Sequence, residues 1–364
     1  MFVDKSWRTS LGVAFYDRDS EIEEILKSID YGRGTTLVLG PRNVGKSELI
    51  KYVVSKFLPN DVSAVIIDFR MLRASEVMDS ITLKAEDVVK EFFKLLTSSL
   101  KVPDVSNFVL KLFKELPKLL RRLRSKYLVL VLDEYHLMSD SLCHALTVLE
   151  SLAKVVTFYE GYEKLRLVVS DSEGWFTTQD ALRKLLGYSV ITTYVEPLPY
   201  EVMKELYTEF SRRFNTVLPF KTIFKLIGGC PGYVVEVYRF TRQYGINKGL
   251  DLWISSYLSN LSTALSNTRR QLGLNEMETI KHAYRLLSGK VKDDEIYSNP
   301  KNLEMIKILT EYNIAYVKYG KEVKPQLPIY VTALEMALDV GSTDILTTVR
   351  DELFTRLNIT LLQK

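Results

Sequence analysis

The sequence predicts an α/β fold in which helices flank a parallel β-sheet, followed by a helical lid and a C-terminal winged-helix-like domain. Short runs rich in Val, Ile and Leu recur through the N-terminal part of the chain, with helical patterns between them. The runs are TTLVLG from Thr35, SAVIIDF from Ser63, YLVLVLDE from Tyr127, LRLVVSDS from Leu165 and VITTYVEPL from Val190. Continuous apolar runs suit strands that are buried on both faces. Their alternation with helical patterns predicts a parallel sheet.

The pattern changes after Pro197, and this change defines three predicted domains. Helical segments without any strand-like run predict a small lid over residues 199–250, above a core formed by residues 1–198. Residues 251–364 contain further helices and then IAYVKYGKEVKPQLPIYVTA, which is two β-prone runs around a Gly-Lys turn. Helices followed by a hairpin are typical of a winged helix.

Composition excludes several classes of protein. The 364 residues include 49 Lys plus Arg and 45 Asp plus Glu, a net charge of +4, which excludes a diffuse polycation. The apolar run Tyr127–Leu132 is far shorter than the roughly 20 residues that span a bilayer. The first ten residues contain no signal-peptide core, so we expect a cytoplasmic protein with no membrane partner.

Cysteine and histidine are too few and too scattered for a metal or disulfide framework. Cys143 and Cys230 lie far apart without a CxxC pair, and the histidines are His136, His144 and His282. The sequence therefore predicts no zinc site, and two buried thiols are the simplest interpretation.

A phosphate-binding loop is the clearest functional motif. It fits G-x-x-x-x-G-K-[ST] between a predicted strand and a predicted helix. The loop residues are Gly40, Pro41, Arg42, Asn43, Val44, Gly45, Lys46 and Ser47, with Glu48 directly after them. Glycines allow the backbone N–H groups to point at phosphate oxygens, and the helix N-terminus adds its positive dipole end. Lys46 is predicted to neutralise the β- and γ-phosphates and Ser47 to ligate Mg²⁺.

Two acidic residues end the run YLVLVLDE. We expect this strand to lie beside the phosphate-loop strand, with Asp133 holding Mg²⁺ through water and Glu134 polarising the attacking water. A carboxylate pair here favours hydrolysis over phosphoryl transfer to a small molecule, and no NKxD-type guanine motif is present. The predicted ligands are therefore ATP or ADP and Mg²⁺. A solvated acidic strand end is the alternative.

Small polar residues end the run LRLVVSDS. A hydroxyl at this position could sense the γ-phosphate or orient the water, and Ser170 is the candidate catalytic residue, with Ser172 as the alternative. Small polar residues end many strands, so an ordinary strand end remains an equal interpretation.

In this order, the motifs resemble those of archaeal ATPases of the STAND group, relatives of AAA+ proteins. FYDRDSEIEEIL resembles that family's F-x-x-R-x-x-E-[IL] segment, so Phe15 and Arg18 are implied to lie against adenine. VEPLPYEVMKEL resembles the L-x-P-L-x-x-E-E-A segment that opens the lid. IGGCPGYV resembles the GGxP element, which implies that Pro231 also contacts the base. The resemblance covers about residues 13–245.

The chain departs from this family in its arginines. Relatives often carry a Gly-Arg pair before the last core strand, where this chain has Gly187 followed by Tyr188. Arg183 is a candidate substitute, and Arg239 and Arg242 are candidate sensor arginines in the lid, although a solvated face is the simpler interpretation. Slow or partner-stimulated hydrolysis is therefore expected.

Charge in the C-terminal part of the chain argues against a generic DNA-binding role. Residues 251–364 hold 14 basic and 14 acidic side chains, and phosphate contacts dominate nonspecific DNA affinity. A local patch could still form from Arg269, Arg270, Lys318, Lys321 and Lys324. Through residues 251–364 the partner could be DNA or a protein. By the family resemblance, the same domain could instead pack on the ATPase core.

A basic helical stretch precedes the DE run. Residues 101–126 contain eight basic and two acidic residues, with apolar residues at helical spacing from Val109 to Leu123. One face should pack on the sheet while the basic face is solvated or binds an anionic partner. Pro117 is expected to kink the helix or divide it in two.

Two functions follow from these motifs. The first is a Mg²⁺-dependent ATP-hydrolysing switch that couples the nucleotide state to the arrangement of the C-terminal domain. The second is a nucleotide-bound DNA- or protein-binding module with little hydrolysis of its own.

Overall fold

One mixed sheet organises the N-terminal part of the chain. The computed structural model describes residues 6–32, 34–70, 81–84, 105–139, 141–172, 184–185, 187–216, 218–291, 293–318, 322–340 and 352–353. Within them the sheet contains β1 (Gly34–Leu39), β2 (Val62–Asp68), β3 (Ile81–Lys84), β4 (Tyr127–Asp133), β5 (Leu165–Asp171) and β6 (Val190–Tyr194). The strand order is β3-β2-β4-β5-β1-β6, and only β3 is antiparallel to its neighbour.

The five predicted strands are confirmed, and β3 is an addition that the sequence pattern did not indicate. The helices that flank the sheet are α1 (Asp19–Asp30), α2 (Lys46–Lys56), α3 (Val105–Arg122) and α4 (Leu142–Phe158). A 3₁₀ helix, Tyr135–Met138, follows β4. The helical pattern at residues 86–100 lies outside the described residues.

Strand side chains alternate between two hydrophobic cores, which explains the continuous apolar runs. In β4, Leu128, Leu130 and Leu132 pack with α3 and α4, whereas Val129 and Val131 pack with α1 and α2 on the opposite face. Successive side chains of a strand point to opposite faces, so a strand covered on both sides must be apolar throughout.

The predicted position of the DE strand is wrong in one respect. β4 does not lie beside β1, because β5 pairs with both of them and separates them. Apolar runs in a sequence carry no information about strand order. Since the strands are parallel, the ends of β1, β4 and β5 still meet at one edge of the sheet, and this edge carries the site described below.

Helices form most of the chain after β6. They are α5 (Tyr200–Phe214), α6 (Phe220–Ile227), α7 (Gly232–Tyr244), α8 (Ile246–Leu272), α9 (Glu276–Leu287), α10 (Asp293–Ser298), α11 (Pro300–Glu311) and α12 (Pro328–Val340). β7 (Ala315–Lys318) and β8 (Glu322–Pro325) form an antiparallel hairpin between α11 and α12. Helix α8 runs continuously through the boundary predicted between residues 250 and 251, so the chain has no linker at that point.

The basic stretch forms one helix, which corrects part of its prediction. Helix α3 continues through Pro117, so the proline does not divide it. The predicted apolar face is confirmed, because Val109, Leu112, Leu116, Leu119, Leu120 and Leu123 are all buried. No helix in the described part of the chain is both long and apolar enough to cross a membrane.

Candidate active site

The phosphate loop turns sharply between β1 and α2. Gly40 and Gly45 have φ angles of 152° and 103°, in the region that favours glycine, and Asn43 adopts a left-handed φ of 62°. A Cβ atom on Gly40 would lie 2.4 Å from the carbonyl oxygen of Val195. The glycines of the motif therefore meet a conformational requirement, and the backbone curls around the N-terminus of α2.

Lys46 lies buried inside this curl. Its Nζ donates hydrogen bonds to the carbonyl oxygens of Gly40, at 3.1 Å, and of Pro41, at 2.9 Å. Burial lowers the pKa of Lys46, and the nearby carboxylates of Glu134, Asp171 and Asp133 oppose that shift. The amino group of Lys46 thus lies at the centre of the loop, where it could interact with phosphate oxygens.

Asp133 and Glu134 project from the end of β4 beside the loop. Asp133 ends the strand and is buried, while Glu134 adopts a left-handed conformation with φ 53° that begins the 3₁₀ helix. The Ser172 hydroxyl donates a 2.6 Å hydrogen bond to Glu134 Oε2, and the Ser170 hydroxyl donates to Asp133 Oδ1. Ser170 in β5 therefore supports Asp133, and Ser172, directly after β5, supports Glu134.

Ser170, the candidate phosphate sensor, contacts a carboxylate in this structure. Its side chain is fully buried and faces Asp133, and neither Ser170 nor Ser172 lines the cleft described below. Ser170 and Ser172 lie on the same face of the chain, but only Ser172 extends beyond the edge of the sheet. Ser172 is thus the hydroxyl that contacts the candidate catalytic carboxylate.

The two acids have different electrostatic environments. Burial, and then the charge of Glu134, raises the pKa of Asp133 to about 6. Burial also acts to raise the pKa of Glu134, but Lys46, the Ser172 hydroxyl, His136 and Arg70 together lower it below its usual value. Glu134 is therefore ionised at neutral pH and can act as a base.

The residues at this edge fit a magnesium ion. Asp133 Oδ2 is buried and accepts no hydrogen bond of normal geometry from the described residues, although the Ser47 hydroxyl is close enough to lower the pKa of Asp133, and Nη2 of Arg70 lies 3.5 Å away. A carboxylate oxygen and the Ser47 hydroxyl are the oxygen ligands that Mg²⁺ uses in proteins. No group of three or more His, Cys, Asp or Glu in the described residues could hold a metal alone. Water and phosphate oxygens would have to complete the coordination.

A cleft of about 340 Å³ opens above the phosphate loop. Among the predicted site residues, it is lined by Phe15, Arg18, Asn43, Val44, Gly45, Lys46, Ser47, Glu48, Glu134 and Pro231. The backbone of Gly40–Arg42 and the side chain of Asp133 lie outside its walls. Phe15 stacks on Tyr52 of α2, with ring centroids 4.5 Å apart, so one face of the Phe15 ring is already covered.

Arg18 joins three parts of the chain at the wall of this cleft. Its guanidinium donates to Glu21 Oε1 at 2.8 Å, to the carbonyl oxygen of Val44 at 3.1 Å and to that of Glu196 at 2.6 Å. The side chain is almost fully buried. The arginine of the F-x-x-R segment therefore ties α1 to the phosphate loop and to the segment that follows β6.

The candidate catalytic and sensor arginines do not lie together in one place. Tyr188, at the position of the family's arginine, donates to Glu150 of α4 at 3.3 Å. Arg239 of the lid lines the cleft, whereas Arg242 packs on the Tyr238 ring. Arg183 lies outside the described residues.

Two groups of site residues were missed by sequence reasoning. Arg70 lies two residues beyond the end of β2 and contacts Asp68, Asp133 and Glu134. The backbone N–H of His136 donates a 2.6 Å hydrogen bond to Asp171 Oδ2. The run SAVIIDFR contains an acid and an arginine after its apolar residues, but their relevance depends on β2 pairing with β4, which the sequence does not indicate.

The loop, the paired acids and the cleft under the lid define a nucleotide-binding α/β protein of the P-loop class. The chain belongs to the family of ATPase domains that is found predominantly in Archaea. That family matches residues 15–237, which is more than half of the chain. No curated protein matches the sequence.

Solved structures are similar to this chain at low sequence identity. The Walker-type ATPase paby2304 of Pyrococcus abyssi is 18% identical, with a TM-score of 0.53 over 88% of this chain and 96% of that chain. The ORC2 protein of Aeropyrum pernix, in ADPNP and ADP complexes, is 11% identical, with a TM-score of 0.46 over 97% and 98%. The ORC1 protein of Aeropyrum pernix in complex with DNA is 14% identical, with a TM-score of 0.43 over 90% and 93%.

Proposed function

We propose that the protein is a Mg²⁺-dependent ATP-hydrolysing switch in which the phosphate end of the nucleotide controls the arrangement of residues 251–364. In this proposal residues 1–198 form the ATPase core and residues 199–250 form the lid. The observation that carries the proposal is that both the lid and the C-terminal region form hydrogen bonds with the phosphate loop itself.

The hydrolytic part of the proposal rests on charge and position. Lys46 supplies positive charge inside the loop, and Glu134 is an ionised carboxylate at the floor of the cleft, held by Ser172. In this role Glu134 accepts a proton from the attacking water. Mg²⁺, held by Ser47 and through water by Asp133, would neutralise the charge that develops on the phosphates.

The lid contacts the loop at Asn43. The backbone N–H of Gly232 donates to the carbonyl oxygen of Asn43 at 2.9 Å, and Asn43 Nδ2 donates to Glu236 Oε1 at 2.6 Å. The other oxygen of Glu236 accepts a 2.6 Å hydrogen bond from the Tyr257 hydroxyl of α8. One carboxylate of the lid therefore connects the phosphate loop to the long helix of the C-terminal region.

The C-terminal region also contacts the loop directly. The buried Gln326, between β8 and α12, accepts a 2.9 Å hydrogen bond from the backbone N–H of Arg42. Lys318 at the end of β7 forms an ion pair with Glu196 of the core. If the loop backbone moves when it binds phosphate, its hydrogen bond to Gln326 changes as well. This direct contact between the loop and the C-terminal region supports a switch.

The proposal predicts that binding and turnover separate in two variants. Lys46→Ala should abolish ATP binding, because the buried cation is lost. Glu134→Gln should keep binding while turnover falls at least about 100-fold, since a positioned base typically contributes that much or more. Glu150→Gln on the outer helix α4 is the matched control and should turn over normally. Equal turnover by wild type and Glu134→Gln would remove Glu134 from the mechanism.

The alternative is a nucleotide-bound module that binds a protein or DNA and hydrolyses little ATP. Of the predicted basic patch, Arg269 pairs with Glu276 at 3.4 Å and Lys324 with Glu322 at 3.1 Å, while Lys318 binds Glu196. Lys321 lies outside the described residues. Three of the five cations thus have acidic partners and Arg270 contacts Asn267, which disfavours DNA as the partner. Salt-sensitive binding of duplex DNA by the full chain would reverse this preference.

A further inference from the structure

Arg70 lies at the candidate metal site although no motif includes it. Its guanidinium nitrogen Nη2 is 3.2 Å from Ser47 Oγ and 3.5 Å from Asp133 Oδ2, and Nη1 is 3.7 Å from Glu134 Oε1. These three groups are the ones to which the proposed function assigns the metal and the attacking water. One cationic side chain thus reaches all of them at once.

The topology of the sheet explains this placement. β2 and β4 are neighbours, and Asp68 is in register with Asp133 at their ends. Arg70 follows Asp68 by two residues, and its Nε and Nη2 donate to the two oxygens of Asp68 at 3.1 and 2.8 Å. Asp68 therefore anchors the arginine, and the outer part of the guanidinium projects towards the phosphate-loop serine.

The contacts of Arg70 overlap those of a metal ion. The Ser47 hydroxyl and the Asp133 carboxylate are the groups that would hold a divalent cation, and both lie within 3.5 Å of Arg70 Nη2. A guanidinium and a divalent cation repel each other and cannot both occupy this space. The Arg70 side chain is 47% exposed, so solvent is open to it once it turns away from Ser47 and Asp133.

We propose that Arg70 is an internal counter-ion that competes with the divalent cation for Ser47 and Asp133, and that it turns away when the metal–nucleotide complex binds. The inference rests on the proposed function, because it requires a nucleotide and a metal in this cleft. Without any cation, the carboxylates of Asp68, Asp133 and Glu134 would repel each other at the edge of the sheet. Arg70 relieves that repulsion until a metal replaces it.

The test is Mn²⁺ binding to the full chain loaded with ADP, measured by the electron paramagnetic resonance signal of the unbound ion. Arg70→Ala should bind Mn²⁺ at least about fivefold more tightly than the wild type, since it loses a competing charge at close range. Arg70→Lys should fall between the two, because an ammonium keeps the charge but cannot reach the same oxygens as a fork. Equal or weaker Mn²⁺ binding by Arg70→Ala would overturn the inference.

Two controls keep the result specific. Lys51→Ala removes a positive charge from the wall of the same cleft but not from the metal ligands, so its Mn²⁺ affinity should change less than about twofold. A change as large as that of Arg70→Ala would mean that only the general field matters, and the inference would fail. If Arg70→Ala does not fold, Arg70→Gln replaces it with the same expectation.

A separate titration distinguishes this inference from the proposed function. Binding of a fluorescent ADP analogue to the wild type is measured in the presence of Mg²⁺. If ADP does not bind, the proposed function and this inference both fall. If ADP binds and Mn²⁺ affinity is the same in wild type and Arg70→Ala, only the role of Arg70 is lost.

Discussion

At the scale of single residues, the site depends on two neighbouring acids whose surroundings differ. Asp133 is buried with one unsatisfied oxygen, which favours a cation, whereas Glu134 reaches the cleft and is kept ionised by Lys46 and its other polar neighbours. The left-handed backbone of Glu134 ends the extended conformation of β4 and begins the 3₁₀ helix. Adjacent residues can therefore take different roles.

The sequence identified most of these residues because their spacing is local. The loop from Gly40 to Ser47 and the pair Asp133–Glu134 each lie within a few positions of a strand end. Arg70 could not be found in the same way, since its importance depends on β2 lying next to β4. Gln326 is 284 positions from its partner Arg42, and no local pattern indicates that contact.

The two cysteines give a prediction at the same scale. Burial raises the pKa of Cys230 to about 12, whereas Cys143 is exposed, so the prediction of two buried thiols is wrong for Cys143. Only a thiolate reacts with iodoacetamide, and a thiol with that pKa is about 0.01% ionised at pH 8. We expect alkylation of Cys143 alone in the native protein and of both cysteines in guanidinium, as measured by mass spectrometry. Modification of Cys230 in native protein would contradict its placement.

At the scale of elements, α3 shows how a helix can continue through a proline. Pro117 has no N–H group, so the carbonyl oxygen of Phe113, four residues earlier, lacks its usual helical donor. The Tyr162 hydroxyl donates a 2.6 Å hydrogen bond to that oxygen from the turn before β5. Tyr162 lies 49 positions away along the chain, so no local pattern indicates this partner, and the sequence predicted a kink or a division from the proline alone.

This contact predicts a non-additive pair of substitutions. Tyr162→Phe should lower the free energy of unfolding by about 1–3 kcal/mol, the usual cost of a buried polar group without a partner. In a Pro117→Ala background the restored N–H can bond to Phe113, so the same change should cost at least about 1 kcal/mol less. Urea titrations of the four proteins measure both costs. Equal costs in the two backgrounds would show that Tyr162 does not replace the helical bond.

Elements also show what a sequence pattern leaves open. The five core strands and the helical lid follow from the periodicity of apolar residues, which is a local property. The short strand β3 was not predicted, and the insertion of β5 between β1 and β4 was predicted incorrectly, because pairing depends on contacts between distant residues. The end of β4 reaches the phosphate loop all the same, since parallel strands end at one edge.

At the scale of the whole molecule, one hydrophobic cluster joins the sheet, the lid and the C-terminal helices. It includes Val131 of the sheet, Phe210 of the lid, Trp253 of α8 and Leu334 of α12. Glu236 and Gln326 add hydrogen bonds to the phosphate loop. The loop is therefore in contact with regions far away in the sequence.

The measurement that tests the switch most directly is amide hydrogen exchange in the full chain with ATP and with ADP. Glu134→Gln is expected to hold ATP with little turnover, so the two nucleotide states can be compared in the same protein. We predict that exchange in β7 and the first turn of α12 differs between the ATP and ADP states. Gln326→Ala should reduce this difference, while Gln271→Ala on the exposed side of α8 should not. Identical exchange in the ATP-bound and the ADP-bound states would contradict the proposed switch.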